Sequence, residues 1–159
     1  MHKIAMLTLA AAAAAGILAP SAHAAHSKVQ FLTPSGDIGC LLGTARDGSA
    51  FAWCKTRTHT WSARESDTCP RANIPGAVGE PGGEDVQLAE GHVPCLGFVM
   101  SRLFFGGQYA PPTLAAGARR SVGSITCSVE LTGVSCADAT TGNAFRVSRE
   151  DYSLTASAA

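Results

Sequence analysis

The segment Gly123-Ser124-Ile125-Thr126-Cys127-Ser128-Val129-Glu130-Leu131-Thr132-Gly133-Val134-Ser135-Cys136 decides how this chain folds. Residues that face each other on a β-hairpin keep a constant sum of sequence numbers. Setting Cys127 opposite Cys136 leaves Glu130-Leu131-Thr132-Gly133 as a four-residue loop, of the kind built around a type I turn. Gly133 then closes the loop, where positive φ is often needed and glycine takes it freely. The same arithmetic applied to Cys40 and Cys54 centres a three-residue loop on Arg46-Asp47-Gly48. Gly48 falls at the left-handed position of a G1 bulge. Two cross-strand disulfides follow, Cys40–Cys54 and Cys127–Cys136, and Cys69–Cys95 is the pair left over. In the chain-entropy model each bridge contributes about 3 kcal/mol, less any native strain.

Working outward, Gly36-Asp37-Ile38-Gly39-Cys40 matches Gly123-Ser124-Ile125-Thr126-Cys127, and each opens an expected disulfide hairpin. Trp61 to Glu65 loosely echoes Phe145 to Glu150. Short runs of branched and aromatic residues bounded by turn formers predict strands at Val29–Leu32, Phe51–Cys54, Val86–Leu88, Ser124–Leu131 and Phe145–Val147. Arg71 to Asp85, with Pro75 and Pro81, reads as a loop between halves, and Ala110-Pro111-Pro112 as another break. Ser62 to Thr68 has room for one or two helical turns. The expectation is a mainly β, disulfide-stapled single domain of short antiparallel strands over residues 25–159.

The amino terminus reads as a secretory signal peptide over residues 1–24. Met1-His2-Lys3 is a positive n-region, Ile4 to Leu18 an apolar h-region, and Ala22-His23-Ala24 a small-residue cleavage site. No later apolar run is long enough to span a bilayer, so no transmembrane anchor is expected after cleavage. All six cysteines lie beyond the leader, as befits an oxidising compartment and a secreted, extracellular or envelope protein. Without the leader, which carries Lys3, 11 basic and 12 acidic residues remain. That balance gives no electrostatic footprint for a nucleic-acid partner.

Chemistry-bearing motifs are sparse. There is no Cys-x-x-Cys and no histidine at ligand spacing from a cysteine pair, so neither a metal site nor a redox pair is expected. No cofactor fingerprint, P-loop, His-Glu-x-x-His or Gly-x-Ser-x-Gly elbow occurs. Of the three histidines past the leader, His26 lies at the new terminus, and His92 in Glu90-Gly91-His92-Val93 reads as a turn. His59 lies in Lys55-Thr56-Arg57-Thr58-His59-Thr60-Trp61, where Arg57, His59 and Trp61 together could form a small binding patch. The polarity of an exposed strand explains that stretch equally well. Leu96 to Phe105 is the most apolar stretch after the leader. It reads as core in preference to a ligand or partner surface. Arg119-Arg120 reads as a solvated loop.

The opening Phe31-Leu32-Thr33-Pro34-Ser35-Gly36-Asp37-Ile38-Gly39-Cys40 resembles a family of small secreted actinobacterial proteins, many of them mycobacterial. Its members begin Phe-x-Thr-Pro-Ser-Gly-Asn-Ile-x-Cys. The later run Ile125-Thr126-Cys127, Gly133-Val134-Ser135-Cys136, Gly142-Asn143-Ala144-Phe145 and Ser148-Arg149 with Tyr152 is similar to the same family. That family is a domain of unknown function, so the resemblance implies secretion and fold, not an activity. Asp37 stands where members carry Asn, and Asn143-Ala144 where they carry His-Gly. The segment after Cys95 is apolar where members are polar.

These readings favour a non-catalytic binding or structural module with an unidentified extracellular or envelope ligand. An alternative is a secreted inhibitor of a protease or lysozyme that presents the loop Arg71–Asp85 on a rigid frame. A third is a carboxylate-based hydrolase. It requires two acids facing one cleft, such as Asp138 and Glu150 at about 5 to 10 Å.

Overall fold

The computed structural model describes residues 27–70, 83–97 and 110–157. Their strands are β1 (Lys28–Leu32), β2 (Ile38–Thr44), β3 (Ala50–Thr56), β4 (Asp85–Ala89), β5 (Cys95–Gly97), β6 (Arg119–Val122), β7 (Ile125–Val129), β8 (Gly133–Asp138), β9 (Ala144–Ser148) and β10 (Tyr152–Thr155). A single 3₁₀ turn, Glu65–Asp67, is all that forms of the expected helical turns. The chain is mainly β. β1 to β5 form one antiparallel sheet in sequence order, and β6 to β10 form a second.

The two sheets bury one shared core. Phe31, Leu42, Leu88 and Leu96 of the first meet Ile125, Val134, Phe145 and Val147 of the second, and all are 2% exposed or less. Period-2 alternation is clearest in β7, where Ile125, Cys127 and Val129 are buried and Thr126 and Ser128 are half-buried.

All three disulfides are present as expected. Cys40 lies opposite Cys54 in the β2–β3 register, and Cys127 opposite Cys136 in the β7–β8 register. Each bridge therefore joins the second and third strands of its sheet, and all four sulfurs lie in the core. Cys69–Cys95 instead ties the segment after the 3₁₀ turn to the start of β5, where the Cys69 N–H also donates to Leu96 O at 2.7 Å.

The repeat in the sequence is thus a repeat of architecture. Gly36 and Gly123 precede β2 and β7, both with positive φ, and Ile38 and Ile125 are both buried. The downstream echo needs correction. Trp61 to Glu65 is not a strand. The counterpart of β9 is β4, because Val86 lies opposite Cys54 just as Phe145 lies opposite Cys136.

Two further expectations change. Gly48 does take φ of +90°, but Gly133 has no positive φ. Gly133 already belongs to β8, and the Glu130 N–H donates to its carbonyl at 2.8 Å. Glycine is needed there for space, since a Cβ would lie 2.6 Å from Val147 O. Arg119-Arg120 belongs to strand β6 and not to a loop, although both side chains are exposed because β6 is an edge. β10 had no β-branched run to announce it. It forms because it can pair with β9 through a short turn at Ser148–Asp151. In the apolar stretch Leu96 to Phe105, Leu96 is core, and residues 98–105 lie outside the described residues.

Gly133→Ala should lower stability by about 1–3 kcal/mol, because the new methyl group can only be accommodated by moving β9. Urea unfolding followed by tryptophan fluorescence measures this, and an unchanged midpoint would contradict the close approach.

Candidate functional site

Arg57, His59 and Trp61 lie where the chain leaves β3. Alternation along β3 turns Lys55 away from the core while Thr56 is buried, and the Arg57 N–H donates to Asp37 O at 2.7 Å. The chain then crosses to the second sheet. Thr60 N donates to Arg149 O at 2.9 Å, and Trp61 Nε1 donates to Ser148 O at 3.0 Å. This crossing stacks His59 on Trp61, with ring centroids 4.0 Å apart. Trp61 in turn meets the edge of Tyr152 at 4.7 Å.

His59 is held at both ring nitrogens. Nδ1 donates to Trp61 O at 2.8 Å, since a carbonyl can only accept. Nε2 lies 2.8 Å from Glu84 Oε2, an ionic contact when the ring is protonated. Beside it, Lys55 Nζ pairs with Asp85 Oδ1 at 3.1 Å, and Asp85 is almost fully buried. Lys55, Thr56, Arg57, His59, Gly83, Glu84 and Asp85 line a cleft of about 320 Å³. Arg57 and His59 therefore share this cleft, and Trp61 buttresses it from behind.

Lys55, Glu84 and Asp85 were not singled out from sequence. Continuing the β3–β4 register brings Lys55 opposite Asp85, but that register joins strands separated by a long connection. No turn rule reaches across it.

Tyr152 closes the far side of this wall. Its hydroxyl accepts from the Arg64 N–H at 3.0 Å and donates to Asp67 Oδ2 at 2.7 Å. The Tyr152 bond, with Ser66 and the Arg64 guanidinium, holds the Asp67 carboxyl below its ordinary range against the effect of burial. The 3₁₀ turn is thereby anchored to β10.

The carboxylates named for hydrolysis do not converge. β8 and β9 pair Ala137 with Ala144 and Gly133 with Ser148, so Asp138 and Glu150 sit at opposite ends of the sheet. Five strand residues separate those ends, roughly 17 Å. Asp138 is also fully buried and occupied. It accepts from Gly91 N at 2.9 Å, Thr140 N at 3.0 Å, Thr140 Oγ1 at 2.7 Å and Thr141 Oγ1 at 2.9 Å. Burial opposes its ionisation, but the main-chain amides of Gly91 and Thr140 and the Thr140 hydroxyl outweigh it. The carboxyl is held far below its ordinary range.

Asn143, which stands where the resembled family has His, also serves as a clasp. Its amide nitrogen donates to His92 O at 2.9 Å, and its amide oxygen accepts from Ser157 N at 2.9 Å. Asp138 and Asn143 together dock the β4–β5 turn, which contains His92 as expected, onto the second sheet. His26 and residues 71–82 of the loop suggested for an inhibitor lie outside the described residues.

Among the described residues no group of three or more His, Cys, Asp or Glu side chains is placed to hold a metal ion. No helix there is long and apolar enough to cross a membrane. Comparison with family models, curated proteins and solved structures found no match to this chain.

The depressed Asp138 carboxyl sets the sign of an acid effect. An unfolded aspartate titrates near pH 4, at about 3.9. Asp138 therefore contributes stability that is fully present above that pH and is lost as pH falls toward the lower folded value. Asp138→Asn presents its amide hydrogens to donors and should cost about 2–3 kcal/mol at neutral pH. It should also flatten the loss of stability below pH 4, as measured by urea unfolding across pH. An equal acid slope in the variant would contradict this role.

Proposed function

We propose that this chain is an exported, non-catalytic binding module of the cell envelope or extracellular space, and that the cleft at Lys55, Arg57, His59, Glu84 and Asp85 is where it takes its ligand. The observation that carries the reading is the cleft itself. Charges of both signs converge there, on a frame held by disulfides and by the Trp61 crossing between the two sheets. The contacts of Lys55 with Asp85 at 3.1 Å and of His59 with Glu84 at 2.8 Å suit a polar ligand that carries its own charge or a dense set of hydrogen-bonding groups. Such a ligand exchanges one partner of each pair for itself. The groups around His59 do not form a nucleophile–base arrangement. Its two ring nitrogens are engaged by a carbonyl and a carboxylate, and among the described residues no hydroxyl bonds to it.

Export is supported by the leader-like residues 1–24 and by three disulfides, which persist in oxidising compartments. The resemblance of both ends of the chain to secreted actinobacterial proteins points the same way. Rigidity serves the reading energetically, because a preformed cleft spares the ligand the cost of ordering its walls.

The test is affinity capture. Immobilised mature protein, without residues 1–24, is exposed to envelope fractions and to culture medium, with an Arg57→Ala, His59→Ala double variant alongside. Arg57 is exposed and His59 half-buried, and neither belongs to the shared core, so the variant should remain folded. The expected result is a component retained by the natural chain and strongly depleted with the variant. Retention of nothing, or equal retention by both, would overturn the assignment.

A further inference from the structure

The described residues present four sheet edges, and three are protected. β1 is covered at Leu32 by the segment after Pro111, through Leu32 N to Pro112 O at 3.0 Å and Leu114 N to Leu32 O at 2.9 Å, and carries the exposed charge of Lys28 at its other end. β5 is covered by Thr68 and Cys69. β6 carries adjacent exposed Arg119 and Arg120, and like charges of this kind keep copies of an edge apart. The fourth edge, β10, reads Tyr152-Ser153-Leu154-Thr155. It has no charge and no proline, and no described segment covers it.

The phase of its hydrogen bonding shows what it offers. Ser148 N donates to Asp151 O at 2.8 Å, so alternate residues from Asp151 onward, Ser153 and Thr155, face β9. The main-chain groups of Tyr152 and Leu154 therefore point outward, and among the described residues they meet no partner. Tyr152 and Leu154 lie half-buried at the margin of the core, while Ser153 and Thr155 are exposed on the opposite face. Beside this edge, Val93, Pro94, Pro70, Leu154 and Ala156 line an apolar cleft of about 300 Å³, and Val93 is 58% exposed.

We propose that β10 is a homotypic interface, at which a second copy of this chain adds its own β10 antiparallel across a two-fold axis at Ser153. The strand is self-complementary in that register. Tyr152 of one copy faces Leu154 of the other, and each such pair exchanges two main-chain hydrogen bonds. The same pairs place a ring against an aliphatic side chain on the core face, next to the apolar cleft. Asp151 falls opposite Thr155 of the second copy, so no like charges meet. At β6 the equivalent pairing would bring Arg119 and Arg120 close to their own copies. The two second sheets would merge into one continuous sheet, and the interface would pair the uncharged β10 edge that no described segment covers. The second copy is favoured over an unrelated extended peptide because, about Ser153, the outward main-chain groups of Tyr152 and Leu154 meet those of Leu154 and Tyr152 of the other copy and no like charges are set opposite each other.

The register makes the test specific, because Ser153 lies opposite itself. The natural mature chain should sediment at twice its monomer mass at about 100 µM and dissociate on dilution, as a dimer governed by mass action does. Ser153→Lys sets two like charges opposite each other at an exposed position, and should shift the equilibrium toward monomer while leaving thermal unfolding of the monomer unchanged. Ser153→Cys, oxidised mildly with copper–phenanthroline, should give a reducible covalent dimer whose linked peptides both contain position 153. Ser121→Cys on the β6 edge should give none. A natural chain that stays monomeric at that concentration overturns the proposal. So does a dimer that Ser153→Lys leaves intact and Ser153→Cys fails to link through position 153.

Discussion

Two sulfur bridges set the register on which this structure depends. Where a sheet packs one face on a core, as both sheets do on the shared one, a slip of one residue sends that face's side chains to the other side. Cys40–Cys54 and Cys127–Cys136 prevent that slip at the same place in each sheet, between the second and third strands. Their sulfurs face each other's sheet within the common core, so the crosslinks also count as packing. With the central pair of strands locked, the outer strands need only lay alternate apolar residues against a surface already defined.

The two sheets are then joined by polar clasps at their ends. At one end Asp138 and Asn143 take hold of the β4–β5 turn through Gly91 and His92. At the other, Trp61 and Thr60 reach Ser148 and Arg149, and Tyr152 grips Arg64 and Asp67. The cleft at His59 owes its shape to the second of these clasps. Its histidine is oriented by a tryptophan whose own position is set by the opposite sheet. A change in the β9–β10 turn is therefore felt at the cleft through packing and not through charge.

Much of the frame was legible from residue spacing because its determinants are local. A hairpin's bridge, its loop length and a glycine such as Gly48 all lie within a few residues of one another. The pairing of β3 with β4 was not legible, and with it the Lys55–Asp85 pair, since no short-range rule relates residues across a connection of that length. Gly133 shows a subtler limit. Its position was marked as special from the loop count. The reason is the approach of Val147 O from β9, a strand that the hairpin's own spacing does not reach. Arg119-Arg120 read as loop because charge usually marks solvent, and an edge strand is half solvent by construction. At the site, Arg57, His59 and Trp61 were found together in the sequence. Their acidic partners came from a distant strand.

The central claim is that rigidity comes from three specific crosslinks within neighbouring segments. Non-reducing peptide mapping by mass spectrometry of the purified protein tests it directly. The account predicts three linked peptide pairs, joining Cys40 to Cys54, Cys69 to Cys95 and Cys127 to Cys136, with no free thiol. Free thiols on the purified chain, or a link from the first hairpin to the last, would contradict it.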